Sequence, residues 1–154
     1  MTRFTPSPVF RIANRMVTPL VRWGLPLGTR EAPMALLTVK GRKSGLERTT
    51  PVALERHGDG WLLVAVYGTC DWSRNLESAG EATIASRGTK TRVRAIRLEP
   101  ADAGPILRDA MARAPAMVRR MTAPYFSAEI EAAPSEWVRE ASQHPVFVLT
   151  TALD

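Results

Sequence analysis

The sequence has little of the residues on which many enzymes build their chemistry. Its one cysteine, Cys70, excludes an internal disulfide and fits a reducing compartment, so we expect a cytoplasmic protein. The two histidines, His57 and His144, lie far apart without a Cys, Asp or Glu cluster beside either, which predicts no metal site. No Ser-His-Asp set is visible either. Function must therefore come from some other kind of site.

Long apolar runs are also lacking. The best candidate for a membrane span, Val9–Leu27, is interrupted by three arginines and Pro19, and it has no continuous apolar core typical of a secretory signal. Its apolar spacing predicts instead a helix from about Pro8 to Trp23, kinked or broken near Pro19. The apolar stripe is flanked by arginines, which allows peripheral contact with an anionic membrane surface; the alternative is a helix that covers a barrel mouth.

Acidic residues are outnumbered by basic ones, and the net charge is +6. Such a balance indicates an anionic partner: nucleic acid, a membrane surface or a phosphorylated small molecule. The basic stretch between Arg87 and Arg97 has no interleaved aromatic residues, so we expect no nucleic acid partner. The partner we expect is a small molecule.

The pattern of strands and turns predicts the fold class α+β, with about six largely antiparallel strands forming a small barrel and three or four helices outside it. Pro51 cannot donate to a ladder, so its strand is expected at an edge or at a bulge. Asp71 is expected to cap a helix from Trp72 to Ala79 that stops at Gly80. The predicted strands are Met34–Lys40, Arg48–Arg56, Trp61–Tyr67, Ala82–Ser86, Thr91–Leu98 and Pro145–Thr151.

At 154 residues, the chain has the length of one domain, and we expect residues 1–154 to form one. Within it, the pattern predicts an N-terminal helical extension (1–30), a barrel core (34–98), a helical segment (99–143) and a closing strand (145–151).

The densest chemical feature is the basic turn, residues 41–45 (GRKSG), with Arg48 following on the next strand. Glycines let a backbone turn tightly and present N–H groups to an oxyanion, Arg42 and Lys43 add charge, and Ser44 adds a neutral donor. Arg48 could clamp the same group. The segment predicts a phosphate or carboxylate site, and the alternative is a solvated basic hairpin. It is not a Walker A loop, since that spacing is absent.

A second feature runs from Tyr67 to Leu76, where a strand end, a glycine turn and a helix start come together. A helix N-terminus offers free N–H groups. Trp72 could stack on a planar ring and Asn75 could hydrogen-bond to it; alternatively, Trp72 only fastens the helix to the barrel and Asn75 faces solvent.

Together, the two features resemble the deazaflavin (F420)-dependent nitroreductase family, which belongs to the split β-barrel flavin and deazaflavin oxidoreductases. The resemblance covers residues 34–98 best, through the GRKSG turn, the RTTP strand, the DG hairpin and the WxxNL helix, and it includes the HPVF strand. The segment Tyr67–Asp71 is shorter here than in many members. The resemblance implies a split β-barrel and a coenzyme F420 (8-hydroxy-5-deazaflavin) site on Arg42, Lys43, Ser44, Arg48, Thr50, Pro51, Tyr67, Gly68, Trp72 and Asn75.

The activity that the resemblance implies is hydride transfer from the reduced coenzyme to a planar acceptor such as a quinone or a nitroaromatic. Tyr67 or Tyr125 could supply the accompanying proton, as could solvent. FMN is the alternative coenzyme, because its single phosphate could use Lys43 and Arg48. A carrier that binds the coenzyme or a lipid without turnover is the alternative function.

Overall fold

The computed structural model describes residues 8–25 and 27–152, and only the backbone of residues 8–10 and 13. Predictions for residues 1–7 lie outside the described residues. Within the described residues, seven antiparallel strands form one sheet, in the order β2-β1-β5-β6-β7-β4-β3. The strands are β1 (Met34–Lys40), β2 (Glu47–Ala53), β3 (Glu55–His57), β4 (Gly60–Val64), β5 (Glu81–Ser86), β6 (Thr89–Arg97) and β7 (Val146–Thr151).

The sheet curls into a barrel because of one short connection. Strands β2 and β3 lie at opposite edges of the sheet, yet Leu54 alone separates them in the chain. Consecutive Cα atoms are about 3.8 Å apart, so the two edges must approach each other at this residue. The Leu54 N–H donates to the Pro33 carbonyl (3.0 Å), which fastens the corner to the residue before β1.

In the part of the chain that the structure describes, the α-helices are α1 (Pro8–Arg22), α2 (Asp71–Ala79), α3 (Pro100–Arg113), α4 (Ala116–Thr122) and α5 (Pro134–Gln143). A 3₁₀ turn (Ala123–Tyr125) follows α4. The mixed α+β class and the largely antiparallel barrel are thus confirmed.

The core has two parts, which lie on the two faces of the sheet. Side chains alternate along a strand, so neighbouring residues of β4 enter different parts. Leu63 joins the first part, with Leu37, Phe147 and Leu76 of α2. Leu62 joins the second, with residues of α3 and α5 such as Leu107 and Trp137. This double burial explains why β4 is apolar on both faces, and β4 pairs with strands on both sides, as predicted.

Several predicted boundaries are wrong. The strand predicted from Arg48 to Arg56 is two strands, because the barrel corner at Leu54 interrupts it. The described residues therefore form seven strands, where about six were predicted. The strand predicted to reach Tyr67 ends at Val64, where its pairing with Val146 ends. Helix α1 runs through Pro19, so of the two predicted alternatives, a kink or a break, the break is wrong. Pro51 does lie in an edge strand, β2.

The start of α2 also differs from the prediction. Cys70, rather than Asp71, precedes the first turn, and Ser73 organises it: the Ser73 hydroxyl accepts the Cys70 N–H (3.0 Å) and donates to the Cys70 carbonyl (2.9 Å). The Asp71 side chain is therefore left to face the basic turn. Gly80 ends the helix in the left-handed region (φ +67°), as predicted.

Candidate functional site

The basic turn and helix α2 face each other across a cleft of about 800 Å³. The cleft brings together seven of the predicted site residues, which are Arg42, Lys43, Ser44, Arg48, Thr50, Trp72 and Asn75. Gly41, Glu47, Thr49 and Asp71 line it as well. Residues far apart in sequence therefore share one surface.

The basic turn keeps its shape through its glycines. The Gly41 N–H donates to the Leu46 carbonyl and the Gly41 carbonyl accepts the Gly45 N–H, both at 2.8 Å. A side chain on Gly41 would meet the Ser44 hydroxyl at 2.8 Å, which is too close for a Cβ. Gly45 adopts φ +68°, a conformation that costs little only for glycine. The backbone of the turn thus favours glycine at position 45, whereas a side chain at position 41 would require the Ser44 side chain to shift.

Asn75 anchors this turn to α2. It is 6% exposed, and its Oδ1 accepts hydrogen bonds from the Arg42 backbone N–H (3.2 Å) and from Arg42 Nη1 (2.8 Å). The sequence suggested either a contact with a planar ring or exposure to solvent. Asn75 is buried, and its amide oxygen binds Arg42.

Arg42 is also paired with an acid. Its Nη2 lies 3.3 Å from Asp71 Oδ1, and the Asp71 side chain is largely exposed. The cation predicted to hold an anion therefore already has two partners. An incoming anion would share this guanidinium with Asp71 or displace it.

Lys43 and Arg48 are the uncommitted cations of the cleft. Both are exposed, and neither has an ion pair or side-chain hydrogen bond within the part of the chain that the structure describes. The backbone N–H groups of Lys43 and Ser44 have no partner among the described residues either. Two cations without partners, close to two backbone N–H groups that are also free, are suited to bind a phosphate or a carboxylate.

Trp72 combines the two roles that its sequence position suggested. Its ring is half-buried and packs on the first core part, 6.2 Å from the Phe147 ring, while it also lines the cleft. It therefore fastens α2 to the barrel and offers a rigid aromatic wall.

Pro51, Tyr67 and Gly68 are not among the residues that line the cleft. Tyr67 and Gly68 lie in the turn after β4, and the Tyr67 ring meets the Tyr125 ring edge-on, with centroids 4.8 Å apart. Burial raises the pKa of the Tyr67 phenol, with a smaller contribution from Tyr125. The phenol is therefore a neutral donor at neutral pH.

Cys70, which lies next to the cleft, is a poor nucleophile here. Burial raises the pKa of its thiol and outweighs the opposing hydrogen bonds with Ser73. Within the described residues, no group of three or more His, Cys, Asp or Glu side chains could hold a metal ion. Among those same residues, no helix is long and apolar enough to cross a bilayer.

Comparison with known proteins gives one family match. The family model described as F420H(2)-dependent quinone reductase matches residues 11–125, which include the whole cleft. A search of the curated proteins finds no match.

Solved structures show only distant similarity. An F420-H2 dependent reductase (FDR-A) is 17% identical with a TM-score of 0.44, and the alignment covers 79% of this chain and 95% of that one. The haem storage protein HutZ from Vibrio cholerae is 12% identical with a TM-score of 0.46, over 81% of this chain and 84% of that one. These similarities are too weak to assign a ligand or an assembly.

Proposed function

The chain belongs to the F420H(2)-dependent quinone reductase family, whose members reduce a quinone-type acceptor with reduced coenzyme F420, and we propose that the cleft between the basic turn and α2 is where it binds that coenzyme. The observation that carries the proposal is the pair of uncommitted cations, Lys43 and Arg48, at the mouth of a cleft of about 800 Å³. Coenzyme F420 carries a phosphate and an acidic tail, so its charge matches this surface.

The residues of the cleft fit the coenzyme in two regions. Lys43, Arg48 and the amides of Lys43 and Ser44 would hold the phosphate, with Thr50 on the same wall. Trp72 would supply an aromatic wall for the ring, since stacked aromatic groups attract each other by about 0.5–1.5 kcal/mol beyond area burial. When bound, the reduced deazaflavin supplies hydride from C5 of its ring.

Tyr67 is the proposed proton donor, and Gly68 and Pro51 remain proposed contacts of the coenzyme. The raised pKa of the Tyr67 phenol keeps its proton in place at neutral pH, which a general acid requires. Gly68 adopts φ +86° and ends the turn that carries Tyr67 towards α2. As the acceptor of the hydride, we propose a planar quinone or nitroaromatic compound.

A titration tests the coenzyme site. We expect Lys43→Ala and Arg48→Ala each to weaken F420 binding by about tenfold, the lower end of the ~1.5–3 kcal/mol for charged hydrogen bonds, because both side chains are exposed. The measurement is fluorescence of F420 at several salt concentrations, with FMN as the competing coenzyme.

Matched controls are available on β6. Lys90→Ala and Arg94→Ala remove exposed cations of the same types outside the cleft, and we expect them to leave binding unchanged. Equal affinity in all four variants, or tighter binding of FMN than of F420, would contradict the proposed site.

A second proposal concerns α1 and peripheral membrane contact. Ile12, Met16, Pro19 and Trp23 are exposed at helical spacing, so they form one stripe, although Val21 on the other side is buried in the protein. Arg11, Arg15 and Arg22 stand beside the stripe. Exposed apolar residues flanked by cations are typical of a helix that lies on an anionic bilayer.

Vesicle sedimentation tests this contact. We expect Met16→Glu to reduce pelleting of the full chain with anionic phospholipid vesicles several-fold. Ile96→Glu is the control, because Ile96 is equally exposed (62%, against 67% for Met16) but lies on β6. Equal pelleting of both variants and the unmodified chain would refute a role for α1.

A further inference from the structure

A buried pair of titratable side chains lies outside the cleft. Glu140 is in the last turns of α5 and His144 directly follows that helix, four residues on. Their side chains are 6% and 4% exposed, and His144 Nε2 lies 3.3 Å from Glu140 Oε2. Burying two such groups is costly unless each is fully hydrogen-bonded, so their remaining partners indicate what the pair does.

The other oxygen of Glu140 holds a segment of chain. Glu140 Oε1 accepts the backbone N–H groups of Ser127 (2.7 Å) and Ala128 (2.9 Å). We call residues 126–128 the strap. The strap directly follows the 3₁₀ turn that ends at Tyr125. Glu140 thereby fixes the chain immediately after Tyr125.

The other nitrogen of His144 faces a different segment. His144 Nδ1 lies 3.3 Å from the Ala65 carbonyl oxygen, to which a protonated Nδ1 donates. The same carbonyl accepts the Gly68 N–H (2.9 Å) and so closes the turn that contains Tyr67. His144 thereby contacts the carbonyl that closes the turn around Tyr67. Its ring also stacks on Phe126 of the strap, with centroids 4.1 Å apart and planes 20° apart.

These contacts join the Tyr67 turn and the strap at two places. The Tyr67 turn and the strap are both fastened to the Glu140–His144 pair, and they meet again where the Tyr67 and Tyr125 rings touch. Apolar contacts also hold both segments, since Ala65 is buried and Phe126 and Ala128 of the strap pack on the second core part. The Glu140–His144 pair adds hydrogen bonds that join the segment carrying Tyr67 to the chain that follows Tyr125.

We infer that His144, held by Glu140, is a positioning residue that sets Tyr67 in place for the reduction. The inference rests on the proposed function in one respect, which is the role of Tyr67 as proton donor. The positioning itself is a property of the protein without coenzyme, and it is tested separately.

Two substitutions each keep one contact of His144 and remove the other. The amide nitrogen of Asn lies as far along the side chain as Nδ1 of His, and that of Gln as far as Nε2. His144→Asn therefore keeps a donor towards Ala65, whereas His144→Gln keeps a donor towards Glu140 and loses Ala65. Glu140→Gln is the charge control, because its amide still offers an acceptor to Ser127 and Ala128 and a donor to Nε2.

The first readout is hydrogen exchange in the coenzyme-free protein. We expect the Gly68 amide to exchange about tenfold faster in His144→Gln, the change for losing a hydrogen bond of ordinary strength, and near the unmodified rate in His144→Asn and Glu140→Gln. The Gly45 amide, which closes the basic turn, is the internal control and should not change. Unchanged Gly68 exchange in His144→Gln overturns the inference.

Phe126→Leu provides a second route should His144→Gln not fold. It removes the stacked ring and leaves every hydrogen bond of the pair in place. We expect faster Gly68 exchange and a weaker near-ultraviolet circular dichroism signal, since the Tyr67–Tyr125 contact loosens. Unchanged exchange and dichroism in this variant likewise overturn the inference.

Turnover then separates the positioning from the proposed function. If both hold, His144→Gln lowers kcat with little change in coenzyme affinity, His144→Asn restores it, and adding Tyr67→Phe to His144→Gln causes no further loss. Faster Gly68 exchange with an unchanged kcat in both His144→Gln and Tyr67→Phe would support the positioning and refute Tyr67 as donor. A loss of F420 affinity equal to the loss of kcat would overturn positioning through Tyr67.

Discussion

Asn75 offers the sharpest test of how the cleft is built, because the sequence and the structure suggest different roles for it. In the structure, its buried Oδ1 binds the backbone and the guanidinium of Arg42. A residue that contacts a bound ring would affect the bound state alone. A residue that anchors the basic turn must also affect the protein without coenzyme. Asn75→Leu, which removes the amide at similar volume, distinguishes the two.

The expected loss of stability follows from the two hydrogen bonds. A neutral bond contributes about 0.5–1.5 kcal/mol and a charged one about 1.5–3 kcal/mol. The guanidinium retains Asp71, and the Arg42 side chain is 25% exposed, so water replaces part of the second bond. We therefore expect a loss of about 1–2 kcal/mol, and at about 2–4 °C per kcal/mol a lower Tm by roughly 2–8 °C.

The same substitution should weaken F420 binding about tenfold, because Lys43 and Ser44 follow Arg42 in the turn. Asn75→Asp is the matched control: its carboxylate still accepts both Arg42 donors and should preserve the turn, although its added charge opposes an anionic coenzyme. Calorimetry gives Tm, and hydrogen exchange at the Arg42 amide reports the turn directly.

One pattern of results would refute the anchoring role. If Asn75→Leu left Tm and Arg42 exchange unchanged and reduced only coenzyme affinity, Asn75 would contact the coenzyme itself. If all three measurements were unchanged, Asn75 would have neither role.

Three further predictions concern the turn and the tyrosine. Gly45 and Gly80 have nearly equal φ values (+68° and +67°) and open space where a Cβ would lie. Gly45→Ala and Gly80→Ala should therefore each lower the free energy of unfolding, measured by chemical denaturation, by roughly 1–2 kcal/mol, but only Gly45→Ala should weaken F420 binding. Equal F420 affinities of the two variants would show that the turn tolerates distortion. Burial raises the pKa of the Tyr67 phenol in the folded protein above its value in the unfolded chain. The phenol's contribution to stability is therefore complete below the unfolded-state pKa and is lost as pH rises through the folded-state pKa. The free energy of unfolding should thus fall above about pH 10, and it should fall less in Tyr67→Phe than in the unmodified protein. An identical fall in both proteins would contradict this prediction. Tyr67→Phe should also lower turnover by about 10²-fold if the phenol donates the proton, and leave it unchanged if solvent does.

The local parts of the fold were predictable from the sequence. β1 runs from Met34 to Lys40 as the apolar run indicated, and the DG hairpin joins β3 and β4. Such features depend on alternation and turn residues within a few positions. Pro51 correctly predicted an edge strand, because a residue without a backbone N–H cannot donate a hydrogen bond to a neighbouring strand.

Features set by distant contacts were not predictable. The corner at Leu54 exists because the sheet closes, and no local signal in the strand pattern indicates it. The Asn75–Arg42 anchor joins residues 33 positions apart, and the Ala65–His144 contact joins residues 79 apart. For Glu140 and His144, a signal did exist: they stand four residues apart at the end of the predicted helical segment (99–143), and this spacing places two residues on one face of a helix. A search for metal ligands overlooks such a pair.

The rate of coenzyme oxidation is the decisive measure of whether the cleft holds F420 for reduction of a quinone. Reduced F420 and a water-soluble planar quinone are mixed anaerobically with the unmodified protein, with the Lys43→Ala/Arg48→Ala double variant and with the Lys90→Ala/Arg94→Ala control, and the recovery of F420 fluorescence is followed. We predict oxidation well above the protein-free rate for the unmodified protein and the control, and a large loss for the double variant at subsaturating coenzyme. Oxidation no faster than without protein, or equally fast in both double variants, would contradict the account.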